Sequence, residues 1–582
     1  MRELLRRLKN HPFITIELTL ASFFVNFLGL ASSLYVIQLL NRYVSHGVDA
    51  TLFTLTIGVC IAILLEFGFR IARSSLALYI GAKRNYDLMV GTFGILTNGK
   101  MRYLDRIPQR LRQEIIKGTN TIEDAYKPAN ITTVFDLPFA FMFIAVLTWL
   151  SWVLSLITLL FMLLIFILGI VSRKMVKNNL QKVTEISVKG NGLFGTANQA
   201  LDTVRLFDNS QFMVKEWGKN CDLFLEKRAK VSTQQDIIQS ITRSSQSLMS
   251  VAIYAAGAIL AVKGDLTVGT LIGANILAMR AIGPISRFAQ LGEPFTMAAQ
   301  ALERVEQFGL IETEKQGGIA LTNYQGRIQF KDIAFSYTGM SYNLFQSLDL
   351  EILPGAVLVV TGENGTGKTT LCRLIAGLIE PDKGQILADG IDLRQLSPSW
   401  WRSQLTCLPQ DTHFFQGSIR ENLEAAIPLN IGEIEAQSNQ ASSSFILNQA
   451  IKDAGLLNFI DQSKQGIDTP IINNGENLST GHRKRLALAR ALTVGGKLVL
   501  FDEPTEGLDK KGCATIYSLL VELSKKGHTM IVFTQDPNII RGATRILDLN
   551  SKPVPKLIIA DNRPIVAGDK TAVSDNRALE SR

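Results

Sequence analysis

The sequence predicts a multi-domain chain: an all-α region with six membrane spans, followed by an α/β domain built on a phosphate-binding loop. Three observations carry this. Apolar runs long enough to cross a bilayer crowd into the chain before residue 290. The stretch "VLVVTGENGTGKTTLCRLIAG" reads as a strand, a glycine-rich loop and a helix. The later run "KLVLFDEPTEGLD" reads as a buried strand that ends in two carboxylates.

The bulk numbers agree with a split chain. Its 582 residues allow two or three domains. Hydrophobic residues make up 47%, with a mean hydropathy of +0.18, high for a soluble protein of this size. The net charge of +9 points to nucleic acid or to an anionic membrane surface. Six spans with basic inner flanks favour membrane lipid, and no nucleic-acid partner is expected. Cys60, Cys221, Cys372, Cys407 and Cys513 are scattered without a CxxC pair, so neither a zinc site nor a disulfide framework is expected.

The spans fall at roughly 13–40, 51–69, 133–150, 152–172, 247–263 and 267–288. The basic "MRELLRRLKN" precedes the first, and the following apolar run is too long for the core of a signal peptide. Only "LSW" separates the third from the fourth, which leaves room for a tight turn. Eleven basic residues lie between Arg70 and Lys127, and "SRKMVKNN" follows the fourth span. The positive-inside rule puts these stretches and both termini in the cytoplasm. The two long connections have helical spacing, so the spans are expected to continue as helices. Residues near 115–125 and 205–215 are then expected farthest from the bilayer. Glu66 has Arg70 one helical turn away and reads as an intrahelical pair. Arg280 lies deep in the last span and has two open readings, lining a polar path or snorkelling.

In the second region, Gly362, Gly367, Lys368 and Thr369 fit G-x-x-x-x-G-K-[ST]. The whole loop from Gly362 through Glu363, Asn364, Gly365, Thr366, Gly367, Lys368 and Thr369 to Thr370 is the candidate ATP-binding element. Glycines let backbone N–H groups curl round phosphates, Lys368 reaches the outer ones, and Thr369 suits Mg2+. Asp502 ends the later strand and is placed to hold Mg2+, while Glu503 follows and can orient and deprotonate an attacking water.

With these motifs in order, the chain resembles an ATP-binding cassette (ABC) exporter with fused membrane and nucleotide domains. "NLSTGHRKRLALARAL" is similar to the family's signature segment, with Leu478, Ser479 and Gly481 in place. The resemblance implies that Ser479 and Gly481 complete the ATP site of a second ABC subunit, in a homodimer or heterodimer. It also implies that Tyr337 stacks on adenine, that Gln410 contacts Mg2+, and that Asp509 lies in a loop at the dimer interface. The first and last spans look like those of type I secretion exporters. That group implies a polypeptide substrate, a periplasmic adaptor, an outer-membrane channel and an inner-membrane location. A peptidase-like domain before the first span is expected to be absent.

The sequence also departs from the family pattern. Thr480 and His482 replace the usual Gly and Gln, "INNGEN" replaces an acidic loop, and Glu506 stands where Ser is frequent. Gln535 takes the place of the histidine that contacts the γ-phosphate, so hydrolysis is expected to be slow but real. The expected organisation is a membrane domain at 1–310, a linker at 311–323, a nucleotide domain at 324–551 and a partly disordered tail at 552–582. "EAQSNQASSS" at 435–444 is expected to be an exposed loop. Alternatives are a small-molecule or lipid exporter, one half of a heterodimeric exporter, or a mainly structural ATP-binding subunit with weak hydrolysis.

Overall fold

The computed structural model describes residues 2–44, 47, 49–337, 342–428 and 440–559. It divides into two compact units, Met1–Gly99 with Tyr103–Glu312, and Lys100–Arg102 with Thr313–Arg582.

Among the described residues of the first unit, six helices are long and apolar enough to cross a membrane: Pro12–Val44, Asp49–Asn98, Pro128–Leu150, Trp152–Gln199, Ser210–Val262 and Val268–Gly309. The helix Asp49–Asn98 has 50 residues, about 75 Å at 1.5 Å per residue, so it far exceeds a hydrocarbon core of about 30 Å. Phe53, Leu64 and Phe67 stand exposed along it, as side chains facing lipid would. Ser151 alone joins the third helix to the fourth, in an extended conformation (φ −162°, ψ 116°) that breaks the helical run.

The first long connection differs from the sequence reading. Its turn lies at 99–108, where the short helix Met101–Leu104 ends before Pro108 (φ −52°, ψ 140°). Residues 115–125 belong instead to the helix Gln109–Ala125. Ile115, Thr119 and Ile122 recur at i, i+4 and i+7 there and form its buried face. The second turn, around Leu201–Leu206, begins slightly before the expected stretch.

Several charges inside this unit are paired. Arg70 bonds Glu66 one turn away. Asp136, on the third span, accepts from Arg73 Nη1 at 2.6 Å and from Asn26 Nδ2 at 2.9 Å. Both Asp136 and Arg73 are buried. Arg280 donates to Ser32 Oγ at 2.9 Å, and a Cβ at Gly29 would come within 2.6 Å of its Nη1. Gly29 thus makes room for a guanidinium that ties the last span to the first.

The second unit holds two main sheets. The strands are β1 (Ile328–Phe335), β2 (Phe345–Ile352), β3 (Val357–Thr361), β4 (Lys383–Ala388), β5 (Ile391–Asp392), β6 (Leu405–Leu408), β7 (Gly417–Ser418), β8 (Pro470–Ile471), β9 (Leu498–Asp502), β10 (Thr529–Phe533), β11 (Arg545–Asp548) and β12 (Lys556–Ile559). One sheet runs β2-β1-β4-β5, the other β12-β11-β3-β10-β9-β6, and β7 pairs with β8. The six-stranded sheet is parallel except for β12 at its edge.

Period-2 geometry explains why its centre is apolar on both faces. Leu358, Val360, Leu498, Leu500, Ile531 and Phe533 pack toward the first sheet and the helix Lys368–Ile375. Val359, Val499, Phe501, Met530 and Val532 pack toward the helices Thr480–Val494 and Lys510–Lys525. Full burial of such side chains contributes about 1.5–3 kcal/mol each. The register places Phe533 beside Asp502, so the chain leaving β10 emerges next to the carboxylates.

Two stretches refine the sequence reading. Residues 440–444 open the helix Gln440–Asp453 rather than a loop, while 435–439 lie outside the described residues. Within the expected tail, Lys556–Ile559 forms β12, and residues 560–582 lie outside the described residues.

Candidate functional site

Strand β3 delivers the chain into the loop 362–367, and the helix beginning at Lys368 carries it away. The tight curl needs glycine at two points. Gly367 has φ +107°, and a Cβ there would lie 2.7 Å from Phe345 Cζ and 2.8 Å from Leu344 Cδ2. Gly362 has φ +155°, and a Cβ would lie 2.7 Å from Thr366 Oγ1. Glu363, Asn364 and Gly365 are exposed at the loop crest. Thr366 Oγ1 donates to the Glu363 carbonyl at 2.8 Å and braces the curl.

Lys368 is buried and folds back over the loop. Its Nζ donates to the Gly362 carbonyl at 2.7 Å and lies 3.5 Å from Glu503 Oε1. Thr369 Oγ1 donates to Gln410 Oε1 at 3.4 Å. Burial pushes the Asp502 carboxyl above its ordinary value, with Glu503 adding to the rise and Lys484 and Lys368 opposing it. Its Oδ1 is buried without a hydrogen-bond partner. An unsatisfied buried carboxylate oxygen is costly. Hydroxyl, amide oxygen and carboxylate from Thr369, Gln410 and Asp502 form an oxygen set that fits Mg2+.

Glu503 adopts φ +45°, unusual for a residue with a side chain. Its N–H donates to the Phe533 carbonyl at 2.8 Å, and Thr534 Oγ1 donates to its Oε2 at 3.1 Å. Gln535 Nε2 donates to the Gly362 carbonyl at 2.7 Å. The end of β10 therefore touches both the second carboxylate and the phosphate loop. Tyr337 places its hydroxyl 3.1 Å from Thr370 Oγ1, with its ring edge-on to Phe335.

Ser479, Gly481 and Asp509 form a different neighbourhood. Ser479 caps the helix Thr480–Val494 by accepting from His482 N at 3.2 Å. A Cβ at Gly481 would meet nothing within 4 Å, so its backbone is open to an approaching group. The His482 ring lies tilted against Phe459 with centroids 4.2 Å apart, and burial and then Arg485 lower its pKa. Asp509 caps the helix Lys510–Lys525 through Gly512 N at 2.8 Å and pairs with Arg485 at 3.0 Å. Among the described residues, no hydrogen bond joins these three to the loop 362–370.

Sequence reasoning missed several contacts. Asn550 Oδ1 accepts from Glu363 N at 2.8 Å, and Lys552 Nζ donates to the Thr366 and Leu344 carbonyls, each at 2.9 Å. They hold the phosphate loop from a stretch beyond β11 that carries no motif. Lys484 donates to the Gln410 carbonyl at 3.2 Å, and Gln410 Nε2 donates to Glu506 Oε2 at 3.1 Å. A signal for Lys484 existed, because it shares the buried face of its helix with Ala487, Leu488 and Ala491.

The comparisons match this division. The ABC transporter transmembrane region family matches residues 15–285, and the ABC transporter family matches residues 345–506. The chain belongs to the ABC transporters, with the transmembrane region and the ATPase domain fused in one polypeptide. It is a multi-pass membrane protein that binds nucleotide and couples ATP hydrolysis to transport. It is 27% identical over 537 residues to the leukotoxin translocation ATP-binding protein LktB of Pasteurella haemolytica-like sp. (strain 5943B), covering 92% of this chain and 74% of that protein. It is also 27% identical over 539 residues to the toxin RTX-I translocation ATP-binding protein of Actinobacillus pleuropneumoniae, with the same coverage. Its fold is similar to that of a bacterial Atm1-family ABC exporter with ATP bound, with a TM-score of 0.75 at 20% identity, covering 93% of this chain and 94% of that one.

Proposed function

We propose that this protein drives the export of a polypeptide across the bacterial inner membrane as the ATPase and permease of a type I secretion system. Residues 1–310 form the membrane part and 324–551 the engine, with both termini in the cytoplasm. A periplasmic adaptor and an outer-membrane channel complete the route. The observation that supports the ATP-driven part is the convergence of Lys368, Thr369, Gln410, Asp502, Glu503 and Gln535 on one loop, in a chain whose described residues include six helices long and apolar enough to cross a membrane. The polypeptide substrate is supported by the two toxin-translocation relatives.

Each residue then has a role. Backbone N–H groups of 362–370 cradle the phosphates at a helix N-terminus, and Lys368 meets their outer charge. Tyr337 packs on adenine. Thr369, Gln410 and Asp502 hold Mg2+, which when bound offsets phosphate charge. Glu503 orients the attacking water and takes its proton. Gln535 offers a neutral donor where a histidine could carry charge, so turnover is slow. Ser479, Gly481 and Asp509 serve a second ABC subunit, because their bonds within this chain leave the signature backbone open.

Purified protein in lipid nanodiscs, assayed for ATPase with and without an unfolded candidate polypeptide, tests the reading. Stimulation by the polypeptide and its vectorial uptake into inverted vesicles are expected. Uptake of lipid or small molecules alone would replace the polypeptide reading.

A further inference from the structure

Lys484 is a buried cation on an otherwise apolar helix face, with 6% of its surface exposed. Burial lowers its pKa, while Glu506, Asp502, Glu503 and Asp411 all favour its charged form. A buried ammonium persists only where acceptors and counter-charge surround it. Lys484 Nζ has one such acceptor in the Gln410 carbonyl, at 3.2 Å. One of the four carboxylates is already engaged, Glu503 by Lys368 and Thr534. Glu506 is exposed and accepts from Gln410 Nε2 at 3.1 Å.

We propose that Lys484 and Glu506 together position Gln410, Lys484 through its backbone carbonyl and Glu506 through its side-chain amide. The amide is the reason this matters. Its NH2 only donates and its oxygen only accepts, while a carboxylate only accepts. Glu506 therefore fixes the NH2 toward itself and turns Oε1 toward Thr369, 3.4 Å away. With the amide reversed, Gln410 would aim donors at a cation. Lys484 keeps the extra carboxylate from adding uncompensated negative charge beside Asp502 and Glu503. Both are positioning residues, and the inference rests on the proposed role of Gln410 at the metal.

The test is a double-mutant cycle on the full-length protein with Lys484→Met, Glu506→Ala, the pair together, and Lys484→Arg. Thermal unfolding without nucleotide or metal reads the pair directly. Each single change is expected to lower Tm by about 3 °C or more, and the double by less than the sum, as for coupled neighbours. Glu506→Ala is expected to raise the half-saturating Mg2+ for ATPase about tenfold, at the low end for an outer-shell partner. Lys484→Arg is expected to stay near wild type in both. Because Glu506 is exposed, its variant folds even where Lys484→Met does not. Additive Tm losses together with an unchanged Mg2+ dependence in Glu506→Ala would overturn the pair. A wild-type protein without Mg2+-dependent ATPase would instead undo the proposed metal role of Gln410.

Discussion

The side-chain amide of Gln535 donates to the carbonyl of Gly362, the residue that opens the phosphate loop, at 2.7 Å. The same carbonyl receives Lys368 Nζ at 2.7 Å. One backbone oxygen thus gathers the donor from the end of β10 and the loop's own lysine, so residue 535 reaches the loop without carrying charge.

Gln535→Ala removes this donor and is expected to lower kcat about tenfold, the size of a lost hydrogen bond of roughly 1.4 kcal/mol. Gln535→His is expected to raise kcat by adding a group that can be cationic. Steady-state ATPase of the three proteins decides. Equal rates in all three would remove residue 535 from the reaction.

Glu503→Gln keeps the size and the contact with Thr534 but cannot take a proton. A loss of about 10²–10⁴ in kcat is expected, the range for general-base catalysis, with ATP binding preserved. An ATP-bound dimer should accumulate, visible by size-exclusion chromatography in detergent. A monomer that hydrolyses ATP at the full rate would contradict the two-subunit site.

Gly367→Ala forces a Cβ into Phe345 and Leu344 at a φ of +107°. The backbone conformation alone costs about 1–3 kcal/mol. Binding of a fluorescent ATP analogue is expected to weaken at least tenfold while the membrane unit stays folded. Unchanged binding would mean that the loop adopts another curl.

Asp136→Ala leaves Arg73 buried without its carboxylate partner. Removing one member of a buried pair costs about 3–5 kcal/mol. A clear drop in Tm is expected in detergent, smaller when Arg73→Ala accompanies it. A surface-like effect below about 0.5 kcal/mol would show that the pair is not buried in the protein as it exists.

Much of this was legible in the sequence because period and motif encode it. Long apolar runs marked the spans, and the glycine pattern around Lys368 fixed the loop. The apolar run before Asp502 and the β-branched run before Gln535 foretold strands side by side. The turn at 99–108 was obscured, because Gly99 and Pro108 sit in a stretch whose apolar spacing continues on both sides. Arg73 with Asp136 was invisible because its partners are 63 residues apart and each resembles an ordinary flanking charge. Asn550 and Lys552 act through side-chain bonds to backbone, which leave no periodic trace. Lys484 did leave one, a charge on an inward face, but only the fold says which carboxylates meet it.

The single non-helical residue Ser151 has a mechanical consequence. Two helices fastened end to end by one residue have no slack with which to ratchet past each other by a turn of about 5.4 Å. Pro128–Leu150 and Trp152–Gln199 must travel as one hairpin paddle through any cycle of the membrane unit. A protease working from the side of that turn would find no loop to cut between them, whichever way the rest of the bundle has swung.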